Sequence, residues 1–164
     1  MKSRKIAFIA LLVALTAVGA AIKIPAVIGS VALDAFPALL AAAILGGPSG
    51  AIVGAMGHLL SAFIGGMPMG PFHGIVAGEM AILAFVFAVL YRKGLKWQAG
   101  VLFVLGNAFA APLPFMFLMS KAFYFSIVPS LFIGAAINTV FALILIPRLA
   151  RLIEPMLSKV RTHQ

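Results

Sequence analysis

Six apolar stretches, residues 5–22, 33–45, 49–64, 72–91, 97–118 and 127–149, follow one another with little between them but turns and small clusters of Lys and Arg. Most are long enough to cross the roughly 30 Å hydrocarbon core of a bilayer as helices. A soluble domain would need a polar face on nearly every helix. With 64% hydrophobic and 9% charged residues in 164, this chain lacks the material for one. The expected fold is an all-α integral membrane protein: a single domain over residues 1–164, folded as a six-helix transmembrane bundle. The second stretch is short and holds Pro37, which predicts a tilted, broken or partly buried segment whose freed backbone groups find partners in the bundle.

The formal charge is +9, from 12 Lys and Arg against 3 Asp and Glu. In a soluble protein that balance would suggest nucleic acid; here its placement excludes that reading. The cations gather at Lys2, Arg4 and Lys5, at Arg92, Lys93 and Lys96, and at Arg148, Arg151, Lys159 and Arg161. Loops rich in Lys and Arg stay on the cytoplasmic side. Six crossings with all three clusters inside leave only Lys23 and Lys121 outside, so both termini are expected in the cytoplasm, with the protein a multi-pass component of the cytoplasmic membrane and lipid its surrounding partner. The basic start and apolar run resemble a signal peptide, but the run is long for one and more spans follow; it reads as a retained first helix. Without Cys, disulfides and thiolate metal sites have no residues to form them.

Outer connections are expected over residues 23–32, 65–71 and 119–126, and tight inner ones at 46–48 and 92–96. The Gly-, Pro- and Met-rich outer loop at 65–71 has the composition to cover an outward-facing site, or simply to join two helices. Small residues four apart, Ala10 and Ala14 in the first helix and Gly50 and Gly54 in the third, allow close approach of a second helix. Gly50 and Gly54 suit packing within the bundle; Ala10 and Ala14 suit an external partner.

Polar residues within the apolar stretches are few. Glu79 lies seven residues into a helix, where a charged group costs roughly 2.5–3.5 kcal/mol on insertion scales, so it is expected to face a polar cavity or a partner. Asp34 either caps the second helix or touches a ligand. His58, Asn107 and Asn138 count to mid-membrane, each serving a ligand or joining helices, and one of the two Asn is expected to be interhelical glue. Ser61 lies on the helix of His58. His73 lies at the outer mouth, solvated or binding, and Tyr124 near the outer surface. With Phe36, Met67, Met69 and Phe72 as apolar walls, these groups describe a pocket open to the outside for a small molecule with hydroxyls and a flat ring.

No phosphate-binding loop of the G-x-x-x-x-G-K-[ST] kind is present, so energy must come from elsewhere or transport runs downhill. No H-E-x-x-H or G-x-S-x-G arrangement appears either, so an enzyme is not expected and no cofactor is called for. The chain is short for an inverted-repeat transporter, which points to an oligomer or to a subunit of something larger. An autonomous ion-coupled carrier with Glu79 as proton relay remains a rival.

The Ala10–Ala14 pair, Ile22-Lys-Ile-Pro25, Ala32-Leu-Asp-Ala-Phe-Pro37, and the block from Gly57-His-Leu-Leu-Ser61 to Met67-Pro-Met-Gly-Pro-Phe-His73 together resemble the substrate-binding S components of energy-coupling factor (ECF) vitamin transporters over nearly the whole chain. The resemblance implies a vitamin or precursor as ligand, a transmembrane scaffold protein and two ATPases as partners, and docking of the scaffold on Ala10 and Ala14. Leu33-Asp34-Ala-Phe-Pro37 and Gly57-His58 look most like the S components for α-ribazole, a nucleoside precursor used in cobalamin salvage. Riboflavin and thiamine are other flat-ring ligands that suit the same description.

Overall fold

The computed structural model describes residues 2–25 and 30–158. Lys159 and Arg161 of the last basic cluster, and the middle of the 23–32 connection, lie outside the described residues. Among the described residues seven α-helices follow in order: α1 (Lys2–Ala21), α2 (Phe36–Leu45), α3 (Gly47–Ile64), α4 (His73–Arg92), α5 (Lys96–Leu105), α6 (Leu113–Leu118) and α7 (Lys121–Ser158). Between α1 and α2 the expected plain loop is instead a short antiparallel hairpin. Its strands β1 (Lys23–Pro25) and β2 (Ser30–Ala32) pair in the register Lys23↔Ala32, Ile24↔Val31 and Pro25↔Ser30.

Five helical stretches among the described residues are long and apolar enough to cross a membrane: Ser3–Ala21, Gly47–Ile64, Gly70–Arg92, Lys96–Leu118 and Lys121–Leu157. The second expected segment is not one of them. At 1.5 Å per residue, the ten residues of α2 reach about 15 Å, half the hydrocarbon thickness. Nine of the ten are buried, because α2 packs against α1, α3, α4 and α7 at once. Pro37 is accommodated in the first turn, where its missing N–H has no helical partner to lose.

The last helix departs from expectation in the opposite sense. Its 38 residues correspond to about 57 Å, so it runs beyond the 127–149 stretch at both ends. Ser120 starts it early: its Oγ accepts the Phe123 N–H at 3.0 Å, an N-terminal cap that converts most of the expected outer loop into helix.

Packing follows the logic of a chain whose solvent is lipid. Small residues fill the inside: Ala38, Ala41, Ala42, Ala84, Ala88, Ala99 and Ala142 are all 2% exposed or less. Large apolar side chains such as Phe63, Trp97, Phe117 and Phe125 point outward. In water that would be a severe exposed patch; against acyl chains it costs little, and close helix contact through small residues becomes the main packing device. Three glycines of α3 each admit a different neighbour: Gly50 lies on Ala42 of α2, Gly54 on the backbone of Met80 in α4, and Gly57 on Thr16 of α1. Gly19, under the Leu33 carbonyl, lets the chain cross back over the end of α1; a Cβ there would collide with that oxygen.

The two ends of the bundle differ. At one, the Arg4 guanidinium donates to the Met156 carbonyl at 2.9 Å, and the Arg92 guanidinium lies beside the Gly46 turn between α2 and α3. The start of α1, the end of α4 and the last turns of α7 thus share this cationic end. At the other end lie the hairpin, the 65–72 connection and the start of α7, and there the bundle opens.

Candidate functional site

The opening is a cavity of about 480 Å³, within the range of small-molecule sites. Helical periodicity delivers its polar groups. On α3, Gly54, His58 and Ser61 recur at one face; on α4, His73, Val76 and Glu79 or Met80 do the same; on α7, Phe123, Ile127, Leu131, Gly134 and Asn138 form a stripe at spacings of three and four. The hairpin supplies Lys23 and Val31, and the turn before α2 supplies Asp34.

Asp34 accepts a hydrogen bond from Ser61 Oγ, which ties the start of α2 to the outer half of α3. The cap of α2 is taken largely by another residue. Asn138 Oδ1 accepts the N–H groups of Ala35 at 3.0 Å and Phe36 at 2.9 Å, while its Nδ2 donates to the carbonyls of Ala32 at 2.8 Å and Gly134 at 2.9 Å. An amide has two acceptor sites and two donors, so Asn138 is saturated. Although it lines the cavity, it serves as the joint between α7, the hairpin and α2.

Asn107 is its opposite. It also lines the cavity, but its side chain makes no hydrogen bond within the described residues. It sits in a π-helical turn, Gly106–Ala110, closed by the Ala111 N–H donating to the Gly106 carbonyl at 2.8 Å. Pro112, next in sequence, has no N–H with which to continue the regular ladder. Such turns insert an extra residue and re-aim the side chains around it.

His73 is buried rather than solvated, at 7% exposure. Its Nδ1 lies 3.1 Å from Nε2 of His58, and the Met69 N–H donates to its Nε2 at 3.4 Å. The pair fastens the 65–72 connection to α3. Glu79 reaches the cavity from α4, and its Oε2 is buried with no hydrogen-bond partner. An ionised carboxylate oxygen in that position only accepts, and it calls for a donor that the described residues do not provide. Among the described residues no cluster of three or more His, Cys, Asp or Glu is arranged to hold a metal ion.

The sequence-derived candidates therefore divide. Asp34, His58, Ser61, Met69, His73, Glu79, Asn107 and Asn138 line one cavity. Phe36 instead packs in the core, edge-on to Phe141 at 5.1 Å. Phe72 stands behind the wall, against Phe115 at 6.0 Å. Met67 occupies one of the positive-φ positions of the outer turn, and the Tyr124 hydroxyl donates to the Phe109 carbonyl at 3.2 Å. The aromatic walls come instead from Phe115 and Phe123. The Phe123–Ile127–Leu131 spacing was the available signal for Phe123, hidden by a helix expected to start later. Ala10 and Ala14 are exposed, on the face of α1 opposite the buried Leu12, Thr16 and Ala20.

A family model, that of the ECF transporter, substrate-specific component, matches residues 4–156. No curated protein and no solved structure gives a match.

Proposed function

The chain belongs to the substrate-specific component family of ECF transporters, and from that premise we propose that its cavity binds α-ribazole, for uptake across the cytoplasmic membrane. Family membership makes it a multi-pass membrane subunit that takes a small-molecule substrate and works with an ECF module. The observation that carries the ligand reading is the composition of the cavity. Two of the three acidic residues in the chain, Asp34 and Glu79, line it together with the His58–His73 pair and Asn107. Ribose hydroxyls supply donors for Glu79 Oε2 and for Asp34. A benzimidazole ring suits the apolar surface of Met69, Met80, Phe115 and Phe123.

The cationic end of the bundle supports a cytoplasmic placement of both termini, which turns the cavity outward. Ala10 and Ala14 then face the lipid, where a scaffold protein docks on α1, and two ATPases on other chains supply the energy. The test is native mass spectrometry of the detergent-purified chain, followed by calorimetric titration with α-ribazole, riboflavin and thiamine. Saturable binding of α-ribazole ahead of the other two is expected; preference for either vitamin would reassign the ligand. Proton-driven uptake in liposomes holding this chain alone would replace the S-component mechanism with an autonomous carrier that uses Glu79.

A further inference from the structure

The histidine pair has a direction. A neutral imidazole carries one N–H and one lone pair, so each ring's role at one nitrogen fixes its role at the other. The Met69 N–H donates to His73 Nε2, which makes that nitrogen the lone-pair side and puts the proton of His73 on Nδ1. His73 Nδ1 faces His58 Nε2 at 3.1 Å, so His73 is the donor and His58 Nε2 the acceptor. The remaining proton of His58 is then on Nδ1. That atom has no hydrogen bond within the described residues and is not among the buried unpartnered atoms, so it is accessible; His58 itself lines the cavity.

We propose that His58 presents a fixed Nδ1–H donor to the cavity, and that His73 and the Met69 amide are the positioning groups that set this polarity. The ligand class follows, resting on the reading of the cavity as the substrate site. It is a heteroaromatic compound with an in-plane ring nitrogen lone pair for His58 and an O–H or N–H donor for Glu79 Oε2. Donor and acceptor lie on different helices, α3 and α4, so the cavity reads the ligand's two edges with opposite polarity. A ring with a C–H in place of that nitrogen leaves the His58 donor desolvated and unpaired, which is the more costly kind of mismatch.

The tautomers are read without any ligand. Full-length protein labelled with 15N-histidine, in detergent at a pH where both imidazoles are neutral, reports through long-range 1H–15N correlations which nitrogen of each ring is protonated; single substitutions assign the signals. Both His58 and His73 are expected as Nδ1–H tautomers, the minor form of a free imidazole side chain in water. In His73→Phe, His58 is expected to change tautomer. An Nε2–H form of either ring in the parent protein, or an unchanged His58 in His73→Phe, would overturn the proposal.

The ligand arm compares α-ribazole with its indole counterpart, in which the free ring nitrogen is replaced by C–H. The parent protein is expected to bind α-ribazole about tenfold or more tightly than the counterpart, and His58→Phe to lose that preference. Equal affinity in the parent protein would overturn the ring-nitrogen contact. If neither compound binds, α-ribazole is refuted as the ligand, and the tautomers still decide whether His58 presents a donor.

Discussion

Asn138→Ala and Asn107→Ala remove the same side chain from two positions that the sequence places at similar depth, yet the structure gives them opposite consequences. Asn138 makes three bonds to other elements, from the Ala35 and Phe36 amides and to the Ala32 carbonyl. Its fourth partner, the Gly134 carbonyl, also has the helical N–H four residues on. Side-chain hydrogen bonds in membrane proteins average about 0.6 kcal/mol, and those in soluble proteins about 1 kcal/mol. Three such bonds give a loss of about 2–3 kcal/mol. At about 2–4 °C per kcal/mol for a chain of this length, Asn138→Ala should melt about 4–12 °C below the parent in detergent, followed by far-UV circular dichroism. Asn107→Ala breaks no bond within the described residues and should melt within about 1 °C of the parent, while weakening ligand binding. The reasoning is refuted if Asn138→Ala leaves the melting temperature unchanged, or if Asn107→Ala lowers it as far.

Glu79→Ala should weaken ligand binding about tenfold or more without loss of membrane insertion, checked by titration of purified protein; unchanged affinity would remove Glu79 from the site. Ala10→Trp, on the exposed face of α1, should leave ligand binding intact and abolish uptake by vesicles containing the ECF module, since a large ring there blocks close helix approach. Normal uptake by that variant would argue against docking at Ala10. Gly57→Ala puts a Cβ 2.8 Å from Thr16 Oγ1, whereas Gly78→Ala meets nothing within 4 Å. The first should therefore lower the melting temperature through overpacking, and the second raise it slightly through helix propensity, both read by the same thermal scans.

Much of the architecture was legible because hydropathy and charge placement are one-dimensional signals. The apolar stretches at 49–64, 72–91 and 97–118 reappear with shifts of a few residues, as Gly47–Ile64, Gly70–Arg92 and Lys96–Leu118. The ends of α7 were not legible. Ser120 as a cap stood in the sequence, but its neighbours 119–126 looked like a loop because Lys121, Tyr124 and Ser126 interrupt the apolar run. At the membrane boundary a helix tolerates such residues, so falling hydropathy marks where the lipid stops, not where the helix does.

The short second helix shows a deeper limit. Hydropathy measures preference for a non-aqueous environment and does not distinguish lipid from protein interior, so α2 reads like the lipid-facing stretches, and its shortness and Pro37 pointed to the burial that four enclosing helices give it. Its composition held a further sign. Four of its ten residues are Ala, small enough for helices to close around it, whereas outward faces carry Phe, Leu and Ile.

The polar groups obey a different rule, because their roles depend on who sits opposite. Asp34 and Ser61 are 27 residues apart, and Asn138 reaches partners more than 100 residues away. Residue type therefore identified groups that must be satisfied, while only the packing divides those the protein already satisfies from those it does not. Asn138 spends its full hydrogen-bonding capacity on the fold; among the described residues, Glu79 Oε2, the Asn107 amide and His58 Nδ1 spend none. These three come from α4, the π-helical turn after α5, and α3, so no single helix movement can relieve them all. A buried polar group without a partner, as Glu79 Oε2 is, costs about 1–3 kcal/mol, and a ligand that meets all three gains from groups already held in place by the surrounding helices. The strength of recognition then resides in what the fold leaves unpaired, and substitutions at the saturated positions should change stability before they change ligand preference.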